Sequence, residues 1–138
     1  SIQITEEMLI EKYSHVMHIV SQVEGKLNQN KTFFDILQAT FPAGTVTGAT
    51  KLRAMEIIDQ LEPVERGPYG GVVGYFGLNG NVDLCIGIRM IIYKKEAFFL
   101  QGGAGIVYGS NPENEYYEVQ NKIKGMHEAI KLAEKGGF

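Results

Sequence analysis

The sequence has 138 residues, 44% hydrophobic and 21% charged, with a formal net charge of −3 and a pI near 5.6. That is enough chain for one compact domain with a real core, at an ordinary soluble composition. The acidic balance argues against a nucleic-acid binder, no apolar run nears the ~18 residues of a membrane-spanning helix, and no signal segment is expected from the pattern of the first residues.

The chain starts at Ser1 without an initiator methionine, and residues 1–12 (SIQITEEMLIEK) carry no evident cap for a domain edge. This reads as a fragment or a processed chain. Residues 14–24 (SHVMHIVSQVE) are rich in Val and Ile and predict a strand. Alternation puts Val16, His18 and Val20 on one face and His15, Met17 and Ile19 on the other. After the loop GKLNQNK, residues 32–40 predict a short helix that buries Phe33, Ile36 and Leu37. Residues 41–50 (FPAGTVTGAT) read as a loop. A second helix follows over residues 50–61, with Thr47 as its cap and Leu52, Met55, Ile58 and Leu61 at helical spacing. The stretch EPVERGPYGG, with two prolines and three glycines, breaks that helix.

Strands are predicted over residues 72–78, 82–93 and 97–101. Asn79-Gly80 makes the first hairpin turn and Lys94-Lys95 the second. GGAG (102–105) and residues 106–108 then lead to a helix capped by Asn111, with Pro112 in its first position, running to about Leu132 before a fraying Gly136-Gly137 tail. There is no internal repeat. The pattern is an antiparallel meander plus helices, hence α+β.

Several residues carry candidate chemistry. On the long strand, Val82, Leu84, Ile86, Ile88, Met90 and Ile92 form one apolar face. Arg89 sits on the other, next to Gly87. Small neighbours leave room around a guanidinium, which suits a carboxylate or phosphate in fork geometry. An internal ion pair, with Asp83 for instance, fits the same pattern. In NPENEYYEVQNK, the i, i+3 and i, i+4 spacings put Glu115, Glu118 and Lys122 on one stripe. The stripe is either a solvated ion-pair ladder or part of a hard-cation site. A hard-cation site would take further oxygen ligands from elsewhere and an anionic substrate. The GGAG turn can present backbone N–H groups to an anion, although it lacks the Gly-Lys-Ser/Thr ending of a P-loop. His18 and His15, at i, i+3 on a strand, face opposite ways and cannot chelate together. His18 is either a satisfied core histidine or a general acid–base. Tyr69, between glycines on a loop, suits either ligand contact or packing. Cys85, the lone cysteine, excludes an internal disulfide, fits a reducing and hence cytoplasmic compartment, and lacks the basic neighbour that would make it a nucleophile.

Four ordered stretches, HVMHIVSQVEG, FPAGTVTGATKLRAMEIIDQLEP, RGPYGGVVGYFGLNGNVDLCIGIR and GGAGIVYGSNPENEYYEVQNK, resemble the C-terminal half of the chorismate-utilising enzymes. Within that family the anthranilate synthase component I branch is the most similar. The resemblance covers roughly residues 10–130 and makes residues 1–138 a partial chorismate-binding domain, an antiparallel sheet with flanking helices.

The resemblance implies Glu118 as a Mg²⁺ ligand, with Glu115 as its companion carboxylate at metal and ring. It implies Lys122 at a substrate carboxylate and Arg89 with Tyr69 on the enolpyruvyl group. The backbone of Gly103, Ala104 and Gly105 would bind a carboxylate, with His18 near the leaving group and Thr45 beside the ring. It also implies chorismate as substrate, a glutamine amidotransferase subunit supplying ammonia, and an N-terminal half bringing a further Mg²⁺-binding glutamate. One departure is GATK at 48–51, where the family reads Gly-Ala-Pro-Lys. Thr50 replaces the proline and is expected to cap the helix instead. Without the other half, the chain is expected to be inactive and to expose strand edges that favour self-association. Two further readings stand beside this one: an aminodeoxychorismate synthase portion, and a non-catalytic binding or oligomerisation half-domain. FPAGT, with Thr45, leans towards anthranilate, and isochorismate-forming relatives fit the loops less well.

Overall fold

The computed structural model describes residues 1–12 and 17–136. The predicted positions His15 and Val16, and Gly137 of the C-terminal tail, lie outside the described residues. The chain forms two compact units, Ser1–Ala39 and Thr40–Phe138.

The first unit is a hairpin and a short helix. Strand β1 (Ile2–Lys12) pairs antiparallel with β2 (Met17–Gly25), in a register running from Ile2 opposite Gly25 to Lys12 opposite Met17. Residues 1–12, which gave no sequence signal for an edge element, are thus a full strand. Two register irregularities, between Ile4 and Glu6 and between Glu6 and Leu9, interrupt the alternation that would have announced it. On β2 the predicted alternation holds: His18 and Val20 are half-buried, whereas Met17 and Ile19 are exposed. Helix α1 (Phe33–Thr40) starts on a reciprocal cap. The Thr32 N–H and hydroxyl donate to Asp35 Oδ2, both at 2.8 Å, and the Asp35 N–H donates back to Thr32 Oγ1 at 3.4 Å. Phe33 and Leu37 are half-buried, but Ile36 is 41% exposed.

The second unit holds the rest. The stretch 41–50, read as a loop, contains a four-residue helix, α2 (Gly44–Thr47). Thr47 does not cap the next helix. Its hydroxyl donates back to the Ala43 carbonyl at 3.3 Å, closing α2. Helix α3 (Lys51–Leu61) has Thr50 at its cap position, without the side-chain hydrogen bond expected there. Its predicted apolar stripe is largely outward: Leu52 is 79% and Leu61 75% exposed, while Ala54 and Ile58 turn inward.

Strand β3 (Val72–Phe76) pairs with β4 (Val82–Ile86). A turn joins them, but it spans Gly77–Gly80, closed by Gly80 N–H to Gly77 O at 2.9 Å, one residue earlier than the 78–81 turn expected around Asn79-Gly80. The predicted long strand 82–93 is broken. After β4 the backbone leaves the ladder at residues 87–90 and resumes as β5 (Ile91–Lys94), which pairs with β6 (Ala97–Leu100). The second turn sits one residue later than predicted, at Lys95-Glu96, both with positive φ. The hairpins form three separate two-stranded antiparallel sheets rather than one meander. Helix α4 (Pro112–Glu134) follows the predicted cap: Asn111 Oδ1 accepts from the N–H groups of Glu113 at 3.0 Å and Asn114 at 3.1 Å. The architecture is α+β, with short antiparallel sheets and helices.

No apolar side chain is fully buried among the described residues, so the expected core is not there. Large apolar side chains on most elements, from Ile2 to Leu132, remain solvent-facing, while Val46 of α2 and Val82, Leu84 and Ile86 of β4 are half-buried. No described helix is long and apolar enough to cross a membrane.

Gly74 and Gly125 allow a test by opposite signs. A Cβ at Gly74 would sit 1.9 Å from the Asp83 carbonyl oxygen, on the facing strand, whereas one at Gly125 would meet nothing within 4 Å. Gly74→Ala should lower the urea midpoint by the equivalent of about 1–3 kcal/mol. Gly125→Ala, inside α4, should raise it by about 0.5–1 kcal/mol. Both are read from chemical denaturation.

Candidate active site

The segment 62–71 is the hub of the second unit. Two consecutive turns shape it, with Tyr69 N–H donating to Arg66 O at 3.0 Å and Gly71 N–H to Pro68 O at 3.1 Å. The second turn needs a left-handed residue at its third position, and Gly70 supplies it with φ of +78°. The turn is clasped to the strand break: Gly70 N–H donates to Gly87 O, and Gly87 N–H donates to Gly71 O, both at 2.8 Å. A side chain at Gly87 would lie 2.8 Å from the Pro68 carbonyl, so only glycine allows this approach.

That clasp explains where Arg89 sits. The sequence put it on a half-buried strand face beside Gly87. Instead it follows the break, at φ of +51°, and is exposed. The alternation that placed it fails because Gly87 gives both its N–H and its carbonyl to the 68–71 turn rather than to a sheet partner. Arg89 and Tyr69 are nevertheless tethered close in the backbone, each within two residues of the Gly70–Gly87 hydrogen bond.

Tyr69 reaches the other way, to the glycine turn. A Cβ on Gly103 would stand 3.0 Å from the Tyr69 hydroxyl oxygen. Gly102, next to it, packs against α4: a Cβ there would meet Ile123 at 2.9 Å and Val119 at 3.7 Å. The Gly103 carbonyl accepts from Lys122 Nζ at 3.0 Å, and the same ammonium pairs with Glu118 Oε1 at 2.5 Å. Tyr69, Gly103, Lys122 and Glu118 are therefore one contiguous set. Glu115 stands one turn earlier on α4, half-buried. Ala104 is half-buried and Gly105 exposed; the N–H groups of 103–105 make no backbone hydrogen bond among the described residues. That arrangement suits an incoming anion.

The stripe on α4 fits a hard cation in part. Glu115 and Glu118 offer carboxylate oxygens from one helix face, the donors Mg²⁺ takes. Among the described residues no group of three or more His, Cys, Asp or Glu side chains is placed to hold a metal, so further ligands would come from outside this set. As a stability element alone the Lys122–Glu118 pair is minor, since its side chains are 34% and 49% exposed and such pairs contribute only about 0.2–1 kcal/mol.

Thr45 and His18 are two further sequence-derived candidates. Thr45 is exposed on α2, and the carbonyl of its neighbour Val46 accepts from Arg66. His18 belongs to the Ser1–Ala39 unit, half-buried on β2. Cys85, read as packing, is exposed on β4.

Sequence reasoning missed Arg66 and Glu62. Arg66 Nε donates to Glu62 Oε2 at 2.8 Å and its terminal nitrogens to Glu62 Oε1 and to the Val46 carbonyl, each at 2.5 Å. Its guanidinium lies 5.8 Å from the centroid of the Tyr69 ring. The available signal was the i, i+4 Glu–Arg spacing of 62 and 66, three residues before the tyrosine. Both residues line a groove of about 700 Å³ between α3 and the 62–71 segment, bordered by Phe41, Val46, Met55 and Ile58. A second hollow of about 480 Å³, lined by Pro68, Met90, Phe99 and Gln101, lies on the other side of the same segment. Tyr69 borders both.

The Arg66 guanidinium holds the Glu62 carboxyl below the ordinary glutamate range, mainly through the hydrogen-bonded fork, and burial opposes it. A carboxyl depressed by folding stabilises the folded chain above its unfolded value, and that contribution is lost as pH falls through the folded value. Melting temperature should therefore drop more steeply in acid for the native chain than for Glu62→Gln, with the two curves converging at the lowest pH. Parallel curves from neutral pH to below the glutamate range would show that the fork contributes nothing.

The family described as chorismate binding enzyme matches residues 1–128. The chain is 52% identical over 135 residues to anthranilate synthase component 1 of Neisseria gonorrhoeae, covering 98% of this chain and 28% of that protein. It is 56% identical over 126 residues to the Acetivibrio thermocellus protein of the same name, covering 91% of this chain and 26% of the relative. The crystal structure of anthranilate synthase component I from Streptococcus pneumoniae TIGR4 superposes with a TM-score of 0.87 at 48% identity, over 91% of this chain and 29% of that one. A Bacillus anthracis protein assigned as a 2,3-dihydroxybenzoate-specific isochorismate synthase superposes at 0.85 with 28% identity, over 96% of this chain and 36% of its own. The chain thus spans under a third of the length of the anthranilate synthase relatives it matches. With its family profile matched almost end to end and half of its residues shared with such relatives, the chain belongs to the chorismate-binding enzymes.

Proposed function

We propose that this chain is the C-terminal portion of an anthranilate synthase component I, where it supplies half of a Mg²⁺-dependent site that converts chorismate and ammonia to anthranilate and pyruvate. The observation that carries the reading is the contiguous set of Tyr69, Gly103, Lys122 and Glu118. It joins a phenol, a backbone turn, a cation and a carboxylate, the groups that a substrate with two carboxylates and a leaving enolpyruvyl ether requires. The identity to anthranilate synthase relatives supports the choice of product over an isochorismate, whose structural relative shares only 28% of residues.

Each residue then has a physical task. Lys122, held between Glu118 and the Gly103 carbonyl, places a positive charge where a substrate carboxylate meets the 103–105 turn. Arg89, exposed after the strand break, offers a fork to the enolpyruvyl carboxylate, with Tyr69 on the neighbouring turn orienting the group that departs as pyruvate. Glu118 and Glu115 would hold Mg²⁺ together with a glutamate from the rest of the protein. Mg²⁺ so bound would withdraw electron density through the ring carboxylate and ease loss of the C4 hydroxyl. Thr45 would lie beside the ring, and His18 would handle the proton of that hydroxyl. A glutamine amidotransferase subunit would supply the ammonia, consistent with relatives that are named component 1.

The test uses the full-length protein with chorismate, Mg²⁺ and ammonium, following anthranilate fluorescence. Arg89→Ala should raise KM for chorismate roughly ten- to a hundredfold, the loss expected for a charged hydrogen-bonding partner. Glu118→Gln should raise the Mg²⁺ concentration needed for half-maximal rate by at least about tenfold. The 138-residue chain alone should form no anthranilate and should self-associate through its strand edges, read by sedimentation. Aminodeoxychorismate as the product would move the protein to the neighbouring branch. Full activity of either variant, or of the isolated chain, would overturn the assignment.

A further inference from the structure

We propose that Arg66 is a positioning residue that ties the backbone beside Thr45 to the ring of Tyr69, so that two substrate-facing groups from separate segments are set by one guanidinium. The inference rests on the reading of Thr45 and Tyr69 as substrate contacts given above. It adds a residue that neither the sequence motifs nor that reading assigned.

The geometry is that of a three-way junction. Two nitrogens of Arg66 form a fork on the Glu62 carboxylate at the end of α3, at 2.8 and 2.5 Å. A third bonds the carbonyl of Val46, the residue after Thr45, at 2.5 Å. The guanidinium carbon stands 5.8 Å from the Tyr69 ring centroid. Backbone geometry reinforces the link, because the Arg66 carbonyl accepts the Tyr69 N–H at 3.0 Å. Val46 closes the junction from the other side, where a Cβ on Gly70 would meet its Cγ2 at 3.4 Å.

Only an arginine fits this role. Its five donors lie in one plane, so it can hold a carboxylate with one edge, a carbonyl with the other and stack its face on an aromatic ring. A lysine at 66 keeps the charge but can neither fork nor stack. The side chain is only 24% exposed, so water replaces these contacts poorly. Glu62 fixes the plane of the guanidinium, and through it the angle at which the Tyr69 ring stands above Gly103. A tyrosine released from this junction would keep its hydroxyl but lose its aim, a loss that falls on substrate affinity first.

The experiment places 3-fluorotyrosine at position 69 of the full-length protein, and separately at Tyr75 on β3 as a control, and records fluorine NMR for the native protein, Arg66→Lys, Arg66→Gln and Glu62→Gln. The Tyr69 signal should shift and broaden in all three variants while the Tyr75 signal holds. KM for chorismate should rise about tenfold in both Arg66 variants, as expected for one charge-assisted contact, with kcat changed less. Lysine should rescue neither readout. A Tyr69 signal unmoved by Arg66→Lys and Arg66→Gln would overturn the proposal. So would both tyrosine signals moving together, which marks general loosening. A shifted Tyr69 signal with KM within twofold of native would also overturn it. If the native protein does not turn over chorismate, the functional reading fails, while the fluorine comparison still decides whether Arg66 positions Tyr69.

Discussion

Much of the second unit hangs on two backbone hydrogen bonds between Gly70, Gly71 and Gly87, each 2.8 Å. They require two chain segments to approach with no side chain between them, and a Cβ at Gly87 would fall 2.8 Å from a carbonyl oxygen. Because the backbone at 87 is committed to the turn, it cannot continue in a ladder with a sheet partner. The strand therefore breaks, β4 stays with β3, and β5 starts again with β6. The same commitment puts the Tyr69 turn and the Arg89 segment side by side, although 20 residues of sequence separate them. A pair of backbone bonds thus decides both the sheet topology and the neighbourhood of two candidate substrate contacts.

Charged side chains extend this frame in two directions. Arg66 holds the turn to α3 and α2 through Glu62 and Val46. Lys122 holds the glycine turn at 103 to α4 through Glu118. Tyr69 lies between the two, its ring under Arg66 and its hydroxyl over Gly103. As an isolated stabiliser the Lys122–Glu118 pair is worth little, while the bidentate Arg66–Glu62 fork is better shielded. Their value is geometric. Each fixes a polar group whose orientation a flexible loop would otherwise average away, and fixed orientation is what binding of several anionic groups at once demands in general.

The apolar residues follow a different logic. Composition promised a core, yet no described apolar side chain is fully buried, and α3 shows Leu52 and Leu61 to solvent. Amphipathic helices and half-polar strands form locally through caps, turns and ladders, but burial needs a facing layer. The chain spans less than a third of the length of its anthranilate synthase relatives. Among the described residues the apolar faces point outward, and the α4 stripe presents two carboxylates without a third placed beside them.

The amino-acid sequence by itself determined the local elements whose signals are short-range. The Asn111 cap with Pro112, the presence of a hairpin turn near Asn79 (though not its exact position), the alternation around His18 and the i, i+3, i+4 stripe of Glu115, Glu118 and Lys122 all depend on neighbours within a few residues. The ordered motifs also sufficed to indicate the family, since long matches in fixed order rarely arise otherwise. The turn at Lys95-Glu96, one residue later than its sequence signal, shows the limit of register from composition. What only tertiary structure decided were features set by distant partners. The break after Ile86 and the junction at Arg66 depend on contacts across 15 or more residues, and the left-handed exposed backbone of Arg89 follows that break. No window of sequence contains both ends of such a contact, so periodicity read the 82–93 segment as one strand and passed over Arg66 altogether.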